Sequence, residues 1–182
     1  MRRDQLLIDL RQYLERFPKE YETVARFIRF VEGQKRCFDR DCWNDGHVTA
    51  SALVMNTAGS HTLLTHHAKL RRWLQLGGHS DGVPVPLETA LREAGEESGL
   101  QVEAISTCIF DIDIHTIPAR GLEPEHFHYD VRFVLRSTRS DSFTVSDESL
   151  DLAWVRLDEV PTYTQESSIL RMMSKYELLL SQ

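Results

Sequence analysis

A chain of 182 residues that is 41% hydrophobic and 27% charged has the length and balance of one soluble globular domain, with room for a small extension. Its formal net charge of −7 disfavours nucleic acid and anionic membrane as general partners, since both are themselves negative. The acidity is uneven: residues 1–45 carry ten basic and nine acidic side chains, residues 46–182 eleven and nineteen, a bias that suits a site holding divalent cations.

The N-terminus, Met1-Arg2-Arg3-Asp4, runs into an amphipathic stretch without the continuous apolar run of a signal peptide or membrane span, so a cytoplasmic location is expected. Leu6, Leu7, Leu10 and Leu14 recur at steps of three and four, as do Tyr21, Val24, Ala25, Ile28 and Val31, which predicts two helices. Pro18 separates them and suits the first turn of the second, where its missing N–H is not needed. Nothing in this pair carries chemistry. Residues 1–45 read as a helical extension, a packing element or homodimer contact, ahead of a main domain at 46–182. Cys37, Cys42 and Cys108 are an odd set in a chain this long, which favours reduced thiols over a disulfide scaffold. Cys37-x4-Cys42 has no second Cys/His pair at zinc-finger spacing and reads as packed thiols.

From Gly46 the pattern changes. His47 to Asn56 and His61 to His67, rich in Val, Leu and Thr, predict a hairpin across Asn56-Thr57-Ala58-Gly59-Ser60. A short apolar segment, Trp73 to Leu76, then meets Gly77-Gly78-His79-Ser80-Asp81-Gly82, where the chain is expected to bend rather than continue as a strand. Pro86 offers a helix start, with Leu87, Ala90, Leu91 and Ala94 on its core face through Ser98. Glu93, Glu96 and Glu97 fall within an arc of about 100° on the opposite side, bordered by Arg92. Taken alone, an acidic helix face is usually solvated surface. Carboxylates this close repel one another, however, and a cation relieves that repulsion; oxygen-only ligands point to magnesium or manganese over zinc.

The run Arg92-Glu93-Ala94-Gly95-Glu96-Glu97-Ser98-Gly99-Leu100 resembles the second half of the Nudix box, R-E-U-x-E-E-x-G-U with U aliphatic, and a glycine turn precedes the helix. The opening G-x5-E of the box aligns Gly78 with the glycine but places Pro84 where the family has glutamate. In the family that glutamate pairs with the box arginine and braces the loop. Glu88, four residues before Arg92, has the favourable orientation for a substitute ion pair, worth about 0.2–0.5 kcal/mol on an exposed face. Gly82-x5-Glu88 also mimics the opening half, but it leaves too few residues before Arg92 and is coincidental.

The resemblance implies an α+β fold, a Nudix-type α/β/α sandwich with a mixed β-sheet. It implies Glu93, Glu96 and Glu97 as metal ligands or general base, Arg92 among the catalytic set, and the Gly78 carbonyl as a further ligand for Mg2+ or Mn2+. The implied reaction is hydrolysis of a diphosphate (pyrophosphate) bond in a nucleoside diphosphate derivative or similar small-molecule organic diphosphate. A bound ion there activates water and screens phosphate oxygens while a carboxylate takes the proton. Two other uses of the fold are carried forward. One is a nucleotide-binding module without turnover, to which Pro84 points; the other is a prenyl-diphosphate isomerase, for which no cysteine stands like the acid/base pair.

Beyond the box, Glu125 to Leu135 alternates, with Phe127, Tyr129, Val131, Phe133 and Leu135 on one face and His126, His128, Asp130 and Arg132 on the other. The segment before it sets Cys108, Phe110, Ile112 and Ile114 against Asp111, Asp113 and His115. Paired as a hairpin, the two would merge their polar faces. With His79 beside the box glycine, that face supplies substrate-binding candidates: His79, His126, His128, Asp130 and Arg132. His126-x-His128 also has the spacing of a metal pair on a strand but lacks a clear third ligand in the sequence. Loop Ser146-Asp147-Glu148-Ser149 precedes another strand, Leu150 to Val155. Nudix enzymes often bring an acidic residue from such a loop to the metals, which makes Glu148 an auxiliary catalytic base by position. A final helix from about Thr164 to Leu180 closes the expected fold.

Overall fold

Two helices open the computed structural model, which describes residues 2–180: α1 (Arg2–Arg16) and α2 (Tyr21–Gly33). Pro18 does not lie in the first turn of α2; it begins a separate 3-10 turn, Pro18–Glu20. There the Glu20 N–H reaches the Phe17 carbonyl at 3.0 Å, a tight closure that needs no donor from proline. The inner face of α2 is also rotated from the expected one. Val24, Phe27, Phe30 and Val31 are buried while Tyr21 is exposed. Aromatic packing sets this face: Phe30 stacks on Tyr129 with centroids 3.7 Å apart, and Phe27 meets the same ring edge-on at 5.3 Å.

The strands are β1 (His47–Met55), β2 (His61–His67), β3 (Trp73–Leu74), β4 (Leu76–His79), β5 (Val102–Ala104), β6 (Asp111–Ile117), β7 (His126–Ser137) and β8 (Ser149–Arg156). They form one mixed eight-stranded sheet. Its path runs β3-β2-β1-β7-β5, with β4 on β1, β6 on β7 and β8 on β2. The β1–β2 hairpin closes as expected, Asn56 capping its turn by accepting from the Ser60 N–H at 2.8 Å.

The glycine run after Leu76 did not break the strand there; β4 carries on through Gly77 and Gly78 to His79. At Gly77, where φ is +155°, a Cβ would lie 2.3 Å from the Ser51 Cβ and 2.6 Å from the Ala50 carbonyl oxygen. Here glycine serves close backbone approach between β4 and β1, and the turn is deferred to Asp81 and Gly82.

Helix α3 spans Pro86–Ser98, the range its sequence signals predict, with Ala90 and Ala94 buried. After β8 the chain makes the short helix α4 (Val160–Tyr163) and then α5 (Ser167–Leu180). The expected final helix from about Thr164 is α5, which begins three residues later and runs to Leu180, and α4 is an added short helix before it. Pro161 lies in the first turn of α4, which begins at Val160, and Thr164, extended at ψ 146°, ends it. Ile169, Met172, Met173 and Tyr176 of α5 are buried, whereas Leu178, Leu179 and Leu180 are exposed.

By spatial proximity the chain divides into two compact units, and β1, α3 and β7 contribute residues to both. One holds residues 1–51, Gly77–Ala90 and Ser106–Phe133; the other holds Ala52–Leu76, Leu91–Ile105 and the remainder from Val134. Among the described residues no helix is long and apolar enough to cross a membrane.

Candidate functional site

The C-terminal half of α3 carries the acidic face. Arg92 lies at its centre, donating to Glu93 at 2.9 Å and to Glu96 at 2.8 Å. Glu96 is open to solvent and Glu93 half-buried, while Glu97 is only 8% exposed, which makes it the least hydrated of the three. Burial raises the Glu93 pKa against the pull of Arg92, and the charges of Glu96 and Glu148 raise it further. The last effect places Glu148, exposed in the loop before β8, within electrostatic reach of the helix. Its backbone carbonyl accepts from the Ala68 N–H at 3.0 Å, which ties that loop to the end of β2.

The helix ends on Gly99 at φ +69°, whose N–H returns to the Gly95 carbonyl at 2.8 Å. The Thr144 N–H reaches the Ser98 carbonyl at 2.7 Å, so the exit from the acidic turn is fixed on both sides. The small Ala94 and Gly95 need no special account, since Ala94 is fully buried and a Cβ at Gly95 would meet only the Leu100 carbonyl at 3.6 Å.

Ahead of α3, Gly78 and His79 close β4, and His79 Nδ1 lies 2.8 Å from the Arg40 guanidinium. The loop holding Pro84 has its own anchor. The Gly82 N–H donates to the Phe38 carbonyl at 2.8 Å and the Val83 N–H to the Ser80 carbonyl at 2.8 Å. Cys37 and Cys42 flank this anchor as buried free thiols, Cys37 with its pKa pushed up to about 12 chiefly by burial; Cys108 is free and exposed.

The polar faces of β6 and β7 do merge, through the register Asp111↔Arg132, Asp113↔Asp130, His115↔His128 and Ile117↔His126. The Asp111, Asp130 and Arg132 part of the merged face is buried, whereas Asp113 and His115 are partly exposed. Arg132 is 1% exposed, with Asp130 at 2.8 Å, Asp111 at 3.3 Å and Asp113 at 3.5 Å from its guanidinium. Asp130 also accepts from Thr49 at 2.9 Å and Ser51 at 2.7 Å on β1. Tyr13 Oη lies 3.4 Å from Asp111, and the Arg16 guanidinium donates to the Ile109 carbonyl. Arg132 and Asp130 are therefore committed to a buried ion cluster that spans three strands and reaches helix α1.

At the other end of the same face, His126 and His128 acquire a third imidazole that the sequence reading did not assign, His47 at the start of β1. One ligand atom from each of the three lies within 4.8 Å of the others. The missed signal was an alternation. His47, Thr49 and Ser51 occupy one face of β1 as His126, His128 and Asp130 do on β7, and only the strand pairing brings the two sets together.

Residues 45–175 match the NUDIX domain family, and the chain belongs to it. Members of that family are generally pyrophosphohydrolases that use divalent metals. Among solved structures, the chain is similar to a C. elegans Ap4A hydrolase in a binary complex at 18% identity and TM-score 0.60, covering 74% of this chain and 97% of that one. It is similar to a NUDIX-family hydrolase from Clostridium perfringens at 25% identity and TM-score 0.54, covering 73% and 97%. A MutT protein from Methanosarcina mazei Go1 matches at 17% identity and TM-score 0.52, over 74% and 95%. No curated protein matches the chain.

Proposed function

We propose that this NUDIX protein hydrolyses the diphosphate linkage of a nucleoside diphosphate derivative or similar small organic diphosphate, using Mg2+ or Mn2+ held by Glu93, Glu96 and Glu97 with the Gly78 carbonyl. The observation that carries the reading is the acidic face of α3. Three carboxylates share one helical patch, and the proton affinity of Glu93 is raised by burial and by the charges of Glu96 and Glu148. Such a group favours a divalent cation, and an all-oxygen donor set suits magnesium or manganese. When bound, the ion supplies Lewis acidity toward the phosphate oxygens and an acidified water.

The side chains have separate roles in this reading. Arg92 holds the Glu93 and Glu96 carboxylates in fixed directions through its two ion pairs. Glu97, the most desolvated, is a ligand or takes the proton of the attacking water, and Glu148 is the auxiliary base. Gly82 bonded to the Phe38 carbonyl supports a loop that stays in place with Pro84 where the box expects glutamate. Since Asp130 and Arg132 have their polar atoms committed to the buried cluster, we assign them to bracing the sheet. His79, beside Gly78 and in contact with Arg40, is the better phosphate contact. We place the activity in residues 46–182 with 1–45 as an extension, and the protein in a reducing cytoplasm, consistent with its free thiols.

The test is release of phosphate or nucleoside monophosphate from a panel of diphosphates with Mg2+ or Mn2+, comparing the native chain with Glu97→Gln. Turnover of one substrate class that collapses in the variant supports the assignment. Binding without turnover across the panel would favour a nucleotide-binding module instead, the reading that Pro84 motivates.

A further inference from the structure

His47 is 1% exposed and His126 5%, and His128 is largely enclosed. Their rings stand 4.7–5.2 Å apart, with His79 5.1 Å from both His47 and His128, and His115 5.4 Å from His128. Neither ring nitrogen of His47 makes a hydrogen bond, although the Cys42 carbonyl is near enough to favour its protonated form, and Nε2 of His126 and of His128 are likewise buried and unpartnered. Buried polar atoms are ordinarily satisfied, so three such rings, each with a nitrogen within 4.8 Å of the others, call for a shared partner.

The flanking bonds already prepare such a partner's site. His126 Nδ1 donates to the Pro124 carbonyl at 2.8 Å, which fixes the tautomer and leaves the Nε2 lone pair turned inward. His115 Nδ1 contacts Asp113 at 3.0 Å, a carboxylate at the rim of the group. Protonation is a poor solution. Burial disfavours charge on His47 and His128, and the neighbouring imidazoles repel a proton there. Arg40 opposes a cation here, while Asp41 and Asp81 lie within electrostatic reach of His47 and offset it.

The geometry points to a metal site distinct in its residues from the α3 carboxylates: His47, His126 and His128 bind one divalent transition-metal ion, zinc foremost. Three neutral imidazoles are a nitrogen set that zinc favours and magnesium does not. Tetrahedral bonds of about 2.0–2.1 Å put ligand nitrogens roughly 3.4 Å apart. Donor atoms already within 4.8 Å reach that spacing by modest side-chain rotation. Three protein ligands leave a fourth position for water or a substrate oxygen, so the site can hold structure or act as a Lewis acid.

The experiment is titration of the chelator-treated full chain with Zn2+, and with Co2+ as a visible-light reporter, for the native protein, His47→Gln, His126→Gln and Glu97→Gln. The expected result is one zinc per chain bound more tightly than micromolar and a tetrahedral cobalt spectrum. Affinity should fall by about 100-fold or more in each histidine variant, by the scale that even outer ligands carry, with both readouts retained in Glu97→Gln. X-ray absorption on the zinc-loaded native chain should show imidazole nitrogens at about 2.0–2.1 Å, a readout that does not depend on either variant folding. Weak zinc binding to the native chain, an oxygen shell, or binding lost in Glu97→Gln but kept in folded His47→Gln and His126→Gln would overturn the proposal.

Discussion

The two clusters proposed as metal ligands are built on opposite physical terms. The carboxylates of α3 keep part of their hydration, carry charge, and are steadied by a cation of the chain's own, Arg92. The imidazoles of β1 and β7 have lost most of theirs and lack partners on their inner nitrogens, and burial disfavours charge on His47 and His128. A half-solvated oxygen set exchanges hard cations readily; a dry nitrogen set selects a softer one and holds it. Under the two proposals, one chain separates a turnover metal from a resident one by ligand chemistry alone.

The strongest way to break this contrast is at Glu97. Glu97→Gln should lower Mg2+- or Mn2+-dependent turnover on the order of 10³-fold or more, by kcat in steady-state assays. Equal activity in the variant would remove Glu97 from the site. Next comes the ion cluster beside the imidazoles. Arg132→Met leaves Asp111, Asp113 and Asp130 without their shared guanidinium and should cost about 3–5 kcal/mol in urea unfolding. An unchanged midpoint would mean that the aspartates are satisfied by other donors.

Acid should weaken the fold through His47. Its pKa is near 6.5 unfolded and about 4 folded, because burial, His126 and Arg40 outweigh Asp81 and the Cys42 carbonyl. Between those values the unfolded chain binds more protons, so stability is complete above about pH 6.5 and is lost as pH falls toward 4. Urea midpoints at pH 7 and pH 5 check the sign, and in His47→Gln the difference should shrink. The smallest effect belongs to the helix end. Gly99→Ala, at φ +69°, should destabilise by about 1 kcal/mol and leave metal affinity nearly unchanged. A large loss of Mg2+ affinity there would show that the carboxylates depend on the terminus for their geometry.

The sequence spoke more clearly about one cluster than the other, for a geometric reason. Arg92, Glu93, Glu96 and Glu97 lie on one helix, where spacing along the chain is spacing in space, so both the helix from Pro86 to Ser98 and its acidic arc could be read directly. The histidine site is assembled across strands. His126-x-His128 showed two imidazoles on one strand face, read there as substrate contacts, but His47 joins them only because β1 pairs with β7, a long-range choice that no local period encodes. The same limit explains Arg132. Alternation put it correctly with His126, His128 and Asp130, yet could not say that β1 would cover that face with Thr49 and Ser51 and take it out of water. At Gly77 the local rule misled, because glycine there answers to the approach of Ser51 and not to a turn.

The family match begins at residue 45, yet the contacts of α1 and α2 run past that boundary. Tyr13 and Arg16 reach Asp111 and Ile109, while Phe27 and Phe30 cover Tyr129. A fragment cut to the matched residues would open an aromatic patch and a buried carboxylate to solvent together. For anyone choosing an expression boundary, the start of the alignment is therefore the wrong place to cut, and the first two helices belong with the sheet they cover.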